Sequence, residues 1–447
     1  MRDLTELALG PWVRAGEPRL GGSLHPDFAE VATVLRNILR ELPGGAAACV
    51  YHHGERVVDI WGGERDRKGR PWQRDTLSPS FSTTKGVAST LLHVYADRGL
   101  IDYDDRVADH WPEFAQAGKH RITVRQVLAH QSGLYHIRQM VDRADRMLDW
   151  GYMVAAIEKA APIHEPGQRT GYHGLTFGYI VGELARRVGG KPFPQLVQEE
   201  IALPLGLDGM FVGAPVEALP RAAQLLWARP GLTAPVADVR NDPGERLEEG
   251  AVMLRRFLRR IGLDFGVLAA LDALAPRGIT SFDFSAGATL QAAIPAANGL
   301  FTARSLARLY ATLAAGGELD GVRLLSRRTL RRATQEQPRT RSRAVIPWDM
   351  RWRLGYHGVL TMAGAAPRGF GHFGFGGAGA FADPDEDLAV ALIVNSGMGT
   401  PFGDLRILRI GGAALASARR RTVAQRRRVV RERAPERVLD VASRSTA

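Results

Sequence analysis

Cysteine is nearly absent from this chain of 447 residues, because Cys49 stands alone and no disulfide can form within one molecule. It lies in the apolar run 46–51, which indicates a small buried side chain rather than a reactive thiol. No apolar run approaches the ~18 residues that a membrane-spanning helix needs. Residues 1–22 lack the cationic start and apolar stretch of a secretory signal. We therefore expect a cytoplasmic protein, with peripheral membrane attachment left open.

Several common catalytic motifs are also missing. No serine lies in G-x-S-x-G, which argues against the nucleophile elbow of the α/β-hydrolases. H-E-x-x-H and paired C-x-x-C are absent, so no metal site is predicted. Gly374, Gly376 and Gly379 imitate a dinucleotide fingerprint, but a strand-like segment follows where that motif needs a helix. The sequence therefore predicts no cofactor.

Lysine is scarce. The chain has 59 basic residues, and only five of them are lysines: Lys68, Lys85, Lys119, Lys159 and Lys191. Where only a positive charge is needed, this sequence uses arginine. A lysine in a chemical motif is therefore a candidate for a role that requires loss of a proton, which arginine does not undergo in proteins.

The net charge of +12 is concentrated at the C-terminal end. Residues 419–447 contain ten arginines and three acidic residues, a net charge of +7. We interpret the basic tail as solvated and partly disordered, with contact of 419–437 with an anionic membrane as an alternative. A nucleic-acid binder driven by this tail is a further alternative. No nucleic-acid motif accompanies the tail, so no nucleic-acid partner is expected.

A second segment that could contact a membrane is 251–265. Its apolar residues are predicted to share one helical face and its four arginines the other: Met253, Leu254, Phe257, Leu258 and Ile261 against Arg255, Arg256, Arg259 and Arg260. A surface helix packed on the core has this pattern. A helix lying on an anionic membrane is the alternative.

The order of elements predicts an α+β fold. Val50–His52 and Val57–Trp61 read as two strands around a turn, and Leu388–Val394 as a buried strand. The intervening sequence is mostly helical in period, so both chain ends are expected to build one sheet around a helical insertion. The predicted boundaries are an N-terminal extension at 1–22, a main domain at 23–415 with sheet regions at about 23–80 and 290–415 and a helical region at about 82–290, and the basic tail at 416–447.

Ser82 and Lys85 carry the first chemical signal. A helical pattern over Lys85–Arg98 follows Pro79 and several small residues, so Ser82 is expected at the N-terminus of that helix. Positions i and i+3 share a helix face, which lets the lysine amine reach the serine hydroxyl. A desolvated lysine can lose its proton and act as the base that a serine nucleophile needs. The alternative is an N-cap serine beside an exposed lysine.

Two loops add to this signal. Tyr172 could relay a proton to a leaving alkoxide, although a tyrosine in a loop is usually a packing residue. His173 beside it is expected to be a hydrogen-bonded structural residue. The segment Phe370–Gly377 is rich in glycines, which let a backbone approach a ligand closely, as a strand that lines an active site requires.

Together these segments resemble the serine β-lactamase family, and within it the carboxylesterase branch related to class C. The likeness spans about residues 24–415. Its motifs are Ser82-Thr83-Thr84-Lys85, then Tyr172, then His372-Phe373-Gly374, where β-lactamases have Lys-Thr-Gly and the esterases often have His-x-Gly. Three supporting segments also resemble the family: 122–134, 166–183 and 294–299.

The resemblance implies an antiparallel sheet flanked by helices and a serine hydrolase that cleaves carboxylic esters or lipids through an acyl-enzyme. Ser82 would be the nucleophile, and Lys85 and Tyr172 would share the acid and base roles. The backbone N–H groups of Ser82 and of Phe375, the latter on an edge strand, would form the oxyanion hole. The substrate pocket would be lined by His372, Gly374, Gly174 and His173, and the histidine of the third motif would orient the tyrosine or the substrate.

Two departures from the β-lactamase pattern favour neutral esters. Gly174 stands where those enzymes have the asparagine that contacts the lactam amide. His372 replaces the lysine that pairs with the β-lactam carboxylate. A β-lactamase, a D-amino-acid peptidase or an acyltransferase of the same fold remains an alternative, as does a catalytically silent protein that binds a ligand in the same pocket.

Overall fold

The computed structural model describes residues 2–3, 18–227, 253, 266–397 and 404–433. The amphipathic helix predicted for 251–265 lies, apart from its third residue, outside these ranges. Within them, no helix combines the length and the apolar character needed to cross a bilayer.

An antiparallel sheet of eight strands forms the centre of the molecule. Its strands are β1 Arg2–Asp3, β2 Leu20–Leu24, β3 Gly45–His52, β4 Glu55–Gly63, β5 His357–Thr361, β6 Gly364–Phe373, β7 Gly379–Asp383 and β8 Leu388–Val394. Their spatial order is β1-β2-β4-β3-β8-β7-β6-β5. The two ends of the chain meet where β3 pairs with β8, with Val50 opposite Val390.

The longer helices are α1 Ala29–Glu41, α2 Thr83–Asp97, α3 Trp150–Lys159, α4 Thr176–Gly189, α5 Val267–Leu274, α6 Ala303–Ala314, α7 Arg327–Thr334 and α8 Arg406–Arg433. Shorter helical segments are Pro26–Phe28, Val107–His110, Pro112–Ala115, Val124–Leu128, Ile137–Met140, Ala144–Leu148, Phe193–Val197, Gln198–Ala202, Val216–Arg221, Ile279–Ser281 and Gly287–Gln291. Short strands outside the main sheet are Ser78–Pro79, Arg169–Gly171, Met210–Phe211, Leu226–Trp227, Leu300–Phe301, Glu318–Leu319, Val322–Arg323, Ser342–Ala344 and Ser396–Gly397.

Helices cover both faces of the sheet. Helix α6 packs against β8, β3 and β7, while α8 packs against α1 and β8. Every residue of β3 and of β8 is buried, as expected for strands covered on both sides. The predicted α+β fold is confirmed, and so are the buried strand Leu388–Val394 and the buried position of Cys49.

Helix α2 lies in the interior, packed against α4 and β6. Its residues Thr83 to Tyr95 are all buried. Small residues let the neighbouring elements pack closely against this helix. At Gly86, for example, a Cβ would lie 2.2 Å from the hydroxyl of Tyr310. The first turn of α2, which carries the predicted lysine, is thereby withdrawn from water, while Ser82 just before it is partly exposed.

Two predictions about the C-terminal part need comment. The His-x-Gly segment was expected on an edge strand. Although β6 pairs with both β5 and β7, its pairing with β5 ends at Gly371, and His372 and Phe373 pair with β7 alone. Strand β5 provides the extra pairing through a hairpin whose turn follows Thr361. The predicted domain end at residue 415 falls inside α8, and this helix continues to Arg433.

Candidate active site

Ser82 lies at the N-terminus of α2, as predicted. Its side chain makes no capping hydrogen bond, so its interpretation as a mere N-cap is wrong. The residue before it, Phe81, has a φ of 45°, a strained conformation for a bulky side chain. The backbone N–H and the hydroxyl of Thr84 both donate to the Phe81 carbonyl, at 2.9 and 2.6 Å, and hold this bend. The bend leaves the serine partly exposed at the end of a buried helix.

The amine of Lys85 is fully buried and touches three oxygens. Its Nζ lies 3.0 Å from Ser82 Oγ, 2.6 Å from the carbonyl oxygen of Gly174 and 3.0 Å from that of Ala296. Burial, with no carboxylate partner to offset it, holds the pKa of the lysine well below its usual value. The amine therefore loses its proton more readily than an ordinary lysine.

The three oxygens accept the three hydrogen bonds that the amine can donate. Two go to the carbonyls of Gly174 and Ala296, and the third goes to Ser82 Oγ. When the amine loses that third proton, its lone pair faces the hydroxyl of Ser82. This arrangement satisfies every polar atom of the lysine and aims its basic site at the serine.

Tyr172 approaches the same serine from a second direction. Its hydroxyl donates to Ser82 Oγ at 2.8 Å. Its ring stacks on Trp352 at 5.7 Å between centroids, nearly parallel at 12°, and lies 4.9 Å from the ring of His130. Burial raises the pKa of the phenol above its usual value, although the hydrogen bond to Ser82 opposes the rise. The tyrosine is therefore a protonated donor at neutral pH.

The loop that carries Tyr172 is fixed by the residues on either side. The N–H of Gly171 donates to the carbonyl of His130 at 2.9 Å. His173 is fully buried, and its Nε2 lies 2.6 Å from the hydroxyl of Ser132. Burial lowers the pKa of this histidine to about 3, so it is neutral. It holds the loop, as the structural interpretation predicted, and offers no exposed surface to a substrate.

Two backbone segments supply the carbonyls that hold Lys85. Asn298 fixes the first by accepting from the N–H of Ile294 at 2.9 Å and donating to the carbonyl of Thr289 at 2.7 Å. This loop contains Ala296. The second carbonyl is that of Gly174, where a Cβ would lie 2.4 Å from the carbonyl oxygen of Ala273 at the end of α5. The glycine is thus required for α5 to pack here.

A pair of buried histidines stands at the end of β6. His372 Nδ1 donates to the carbonyl of Phe373 at 3.1 Å. The backbone N–H of Phe373 in turn donates to His357 Nε2 at 3.0 Å. Burial lowers the pKa of both rings, that of His357 to about 4. His372 Nε2 is buried without a hydrogen-bond partner among the described residues. Its ring centroid is 6.3 Å from that of Tyr172, so the two side chains are neighbours.

Phe375 lies in the turn between β6 and β7 rather than on a strand. The N–H of Gly374 donates to the carbonyl of Ala378 at 2.8 Å and closes this turn. Arg406, almost fully buried at the start of α8, donates to the carbonyl of Gly376 and pairs with Asp404. Contacts from the first residue of α8 therefore fix this turn.

Sequence reasoning missed several residues that complete the site. Trp352, His130 and Arg406 contact the predicted residues but belong to no short motif. Lys119 shows that a retained lysine need not be catalytic. It is also fully buried and donates to backbone carbonyls, but no hydroxyl among the described residues is its partner. Among the described residues, no group of three His, Cys, Asp or Glu side chains is placed to hold a metal ion.

Comparison with known proteins assigns this arrangement to a family. The sequence profile described as "Beta-lactamase" matches residues 35–415. The chain belongs to the β-lactamase family. This family member is 37% identical over 390 residues to the esterase/beta-lactamase LipL of Mycobacterium tuberculosis H37Rv, covering 84% of this chain and 83% of the relative.

Solved structures agree with the assignment. A family VIII carboxylesterase superposes with a TM-score of 0.75 at 34% identity, covering 89% of this β-lactamase family member and 99% of that chain. A penicillin-binding protein homologue from Caulobacter crescentus gives the same TM-score at 35% identity, with the same coverage of both chains. The chain is thus a hydrolase of the β-lactamase fold, and the predicted resemblance is confirmed.

Restoring a side chain at Gly174 should damage the fold. In Gly174→Asn, the new Cβ meets the Ala273 carbonyl, so we expect the free energy of unfolding to fall by about 1–3 kcal/mol. Chemical denaturation measures this change. Gly99→Asn is the matched control, because the space around Gly99 is empty within 4 Å and asparagine tolerates its positive φ. Equal stability of the two variants would contradict the close packing of α5.

Proposed function

We propose that this protein is a serine carboxylesterase or lipase that works through an acyl-enzyme on Ser82. The observation that carries the proposal is the convergence of a buried amine with a lowered pKa and a protonated phenol on one partly exposed hydroxyl, at 3.0 and 2.8 Å. A binding protein has no need of a desolvated lysine without a carboxylate partner, since its burial costs free energy. The esterase names of two relatives support the same reaction class.

Acylation begins with proton transfer from Ser82 to Lys85. The serine oxygen attacks the ester carbonyl carbon as its proton passes to the lone pair of Nζ. The carbonyl oxygen becomes an oxyanion, and we assign its stabilisation to the backbone N–H groups of Ser82 and Phe375. The N–H of the serine is at the start of a helix, where the backbone donors have no partner within the helix.

Collapse of the tetrahedral intermediate expels the alcohol. The leaving alkoxide takes a proton from the hydroxyl of Tyr172. The phenolate then recovers a proton directly from the lysine ammonium, which lies 5.1 Å from the centroid of the tyrosine ring. Water then attacks the acyl-enzyme, and the same groups transfer protons in the reverse order. This step releases the carboxylic acid and restores the hydroxyl of Ser82.

The surroundings of the serine favour uncharged, apolar esters. Phe81, Phe284 and Phe375 are each partly exposed, and the ring centroid of the first lies 5.1 and 5.4 Å from those of the other two. These rings offer an apolar surface beside the nucleophile. His372 is neutral, so this position provides no cation for a substrate carboxylate. We assign the orienting role to its free Nε2, which can accept a hydrogen bond from a substrate or from the phenol.

The nucleophile and base can be tested together. A fluorophosphonate probe should label the wild-type protein at Ser82, and Ser82→Ala should lose the label. Lys85→Arg replaces the base with a group that keeps its proton, so ester hydrolysis should fall by about 10²–10⁴-fold. Lys159→Arg, the same change at an exposed lysine, should leave the rate unchanged. Labelling that survives Ser82→Ala would refute the assignment of the nucleophile.

The pH dependence of kcat/KM reports the lysine. The base acts only when deprotonated, so activity is lost as the pH falls through its pKa. Because burial lowers this pKa well below the ordinary 10.5, the rate should reach its plateau well before pH 10. Measurement between pH 5 and 10 tests this. A rate that climbs tenfold per pH unit up to pH 10 would show a lysine with an ordinary pKa and contradict the scheme.

The substrate class follows from a direct comparison of two chromogenic compounds. We expect p-nitrophenyl butyrate to be hydrolysed faster than nitrocefin, because Gly174 and His372 provide neither the amide contact nor the cation used by β-lactams. The ratio of kcat/KM values measures the preference. Faster turnover of nitrocefin would instead favour a β-lactamase. If the ester is preferred, a series of acyl-chain lengths separates an esterase from a lipase.

A further inference from the structure

A cleft lies between the end of α6, helix α7 and the start of β6. Its residues take no part in the reaction proposed above. Its volume is about 710 Å³, within the range of small-molecule sites. Five arginines line it: Arg327, Arg331, Arg351, Arg353 and Arg368. Only two acidic residues do so, Glu336 and Asp387. The lining therefore has a net charge of +3.

Both acidic residues already have partners. Glu336 pairs with Arg351 at 3.0 Å and with Arg339, outside the lining, at 3.3 Å. Asp387 lies 3.4 Å from Nδ1 of His53. Of the five arginines in the lining, three have no carboxylate within ion-pair distance in the described part of the chain. These three are Arg327, Arg331 and Arg353.

Arg353 forms the buried part of the cleft wall. It is 3% exposed, and its guanidinium donates to the carbonyls of Thr334 at 2.7 Å and Pro367 at 3.3 Å. Burial, followed by the nearby charge of Arg351, lowers its pKa to about 10, while the carboxylate of Glu336 opposes this shift. A buried cation with no carboxylate in ion-pair contact among the described residues raises the local positive potential.

Arg327 and Arg331 stand one turn apart on α7, so they share a helix face. Both are exposed. The side chain of Arg327 passes over Gly316, whose Cβ would lie 3.2 Å from its Nε. Buried apolar side chains, Leu313 and Phe370 among them, complete the lining. The cleft thus combines free guanidinium groups at its mouth with an apolar floor.

We propose that this cleft binds a phosphorylated ligand that carries at least two negative charges. Guanidinium groups match phosphate oxygens with paired hydrogen bonds, which a lysine or a single charge does not provide. Arg327 and Arg331 at the mouth, with the buried charge of Arg353 behind them, can balance more than one negative charge on the ligand. The same chemistry is found in a free pyrophosphate group and in the phosphomonoester headgroup of a lipid.

Binding of pyrophosphate to the full chain tests the proposal by calorimetry at 0.15 M salt, where exposed charges are largely screened beyond a Debye length. Wild-type protein should bind, and Arg327→Gln and Arg331→Gln should each weaken binding about tenfold. Arg328→Gln is the matched control, since it removes the same charge from the same helix but lies outside the cleft lining. Circular dichroism checks that each variant is folded.

A second arm separates the two sources of phosphate. Vesicles containing phosphatidic acid are sedimented with the protein beside vesicles of neutral lipid. Sedimentation that is lost in Arg327→Gln/Arg331→Gln, but kept in Arg328→Gln, supports a lipid headgroup in the cleft even if pyrophosphate binds weakly. The proposal is overturned if wild-type protein binds neither probe, or if the control weakens binding as much as the two cleft variants.

Discussion

The burial of one amine without a counter-charge is the constraint on which the site depends. Lys85 lies on the first turn of a buried helix, and no carboxylate from the described residues offsets its charge. Its hydrogen bonds come instead from two backbone carbonyls on loops that are far apart in sequence, at Gly174 and Ala296. Both loops must reach this point together, since a missing carbonyl would leave a buried N–H unsatisfied. The insertion between β4 and β5 serves to bring them there.

The part of this arrangement that short motifs encode could be predicted from sequence. Ser82 and Lys85 are separated by one helical turn, and a spacing within a helix fixes a distance. Leu388–Val394 is uniformly apolar, which identifies a strand buried on both faces. The tyrosine was predictable only through the family resemblance, because its 90-residue separation from the serine carries no geometric information of its own.

The remainder depends on long-range packing. Phe375 was expected on an edge strand, but the pairing of β5 and the turn closed by Gly374 are set by contacts that no local pattern shows. Arg406 reaches the same turn from the last long helix, and Trp352 stacks on the tyrosine from a segment before β5. His173 illustrates the opposite case: its neighbour in sequence is at the reacting centre, while its own side chain turns into the core. In each case tertiary contacts, rather than local propensity, decide where the group points.

Gly174 has a consequence for how such a protein could change its chemistry. The end of α5 fills the volume that a side chain at this position would need, so an exchange of that glycine is not an isolated event. Any mutational path toward an amide-contacting residue must first displace or shorten α5. The two positions are therefore epistatic, and the order in which they change decides whether the intermediate folds. Substrate preference in this chain is protected by a neighbouring helix as well as by the residue itself.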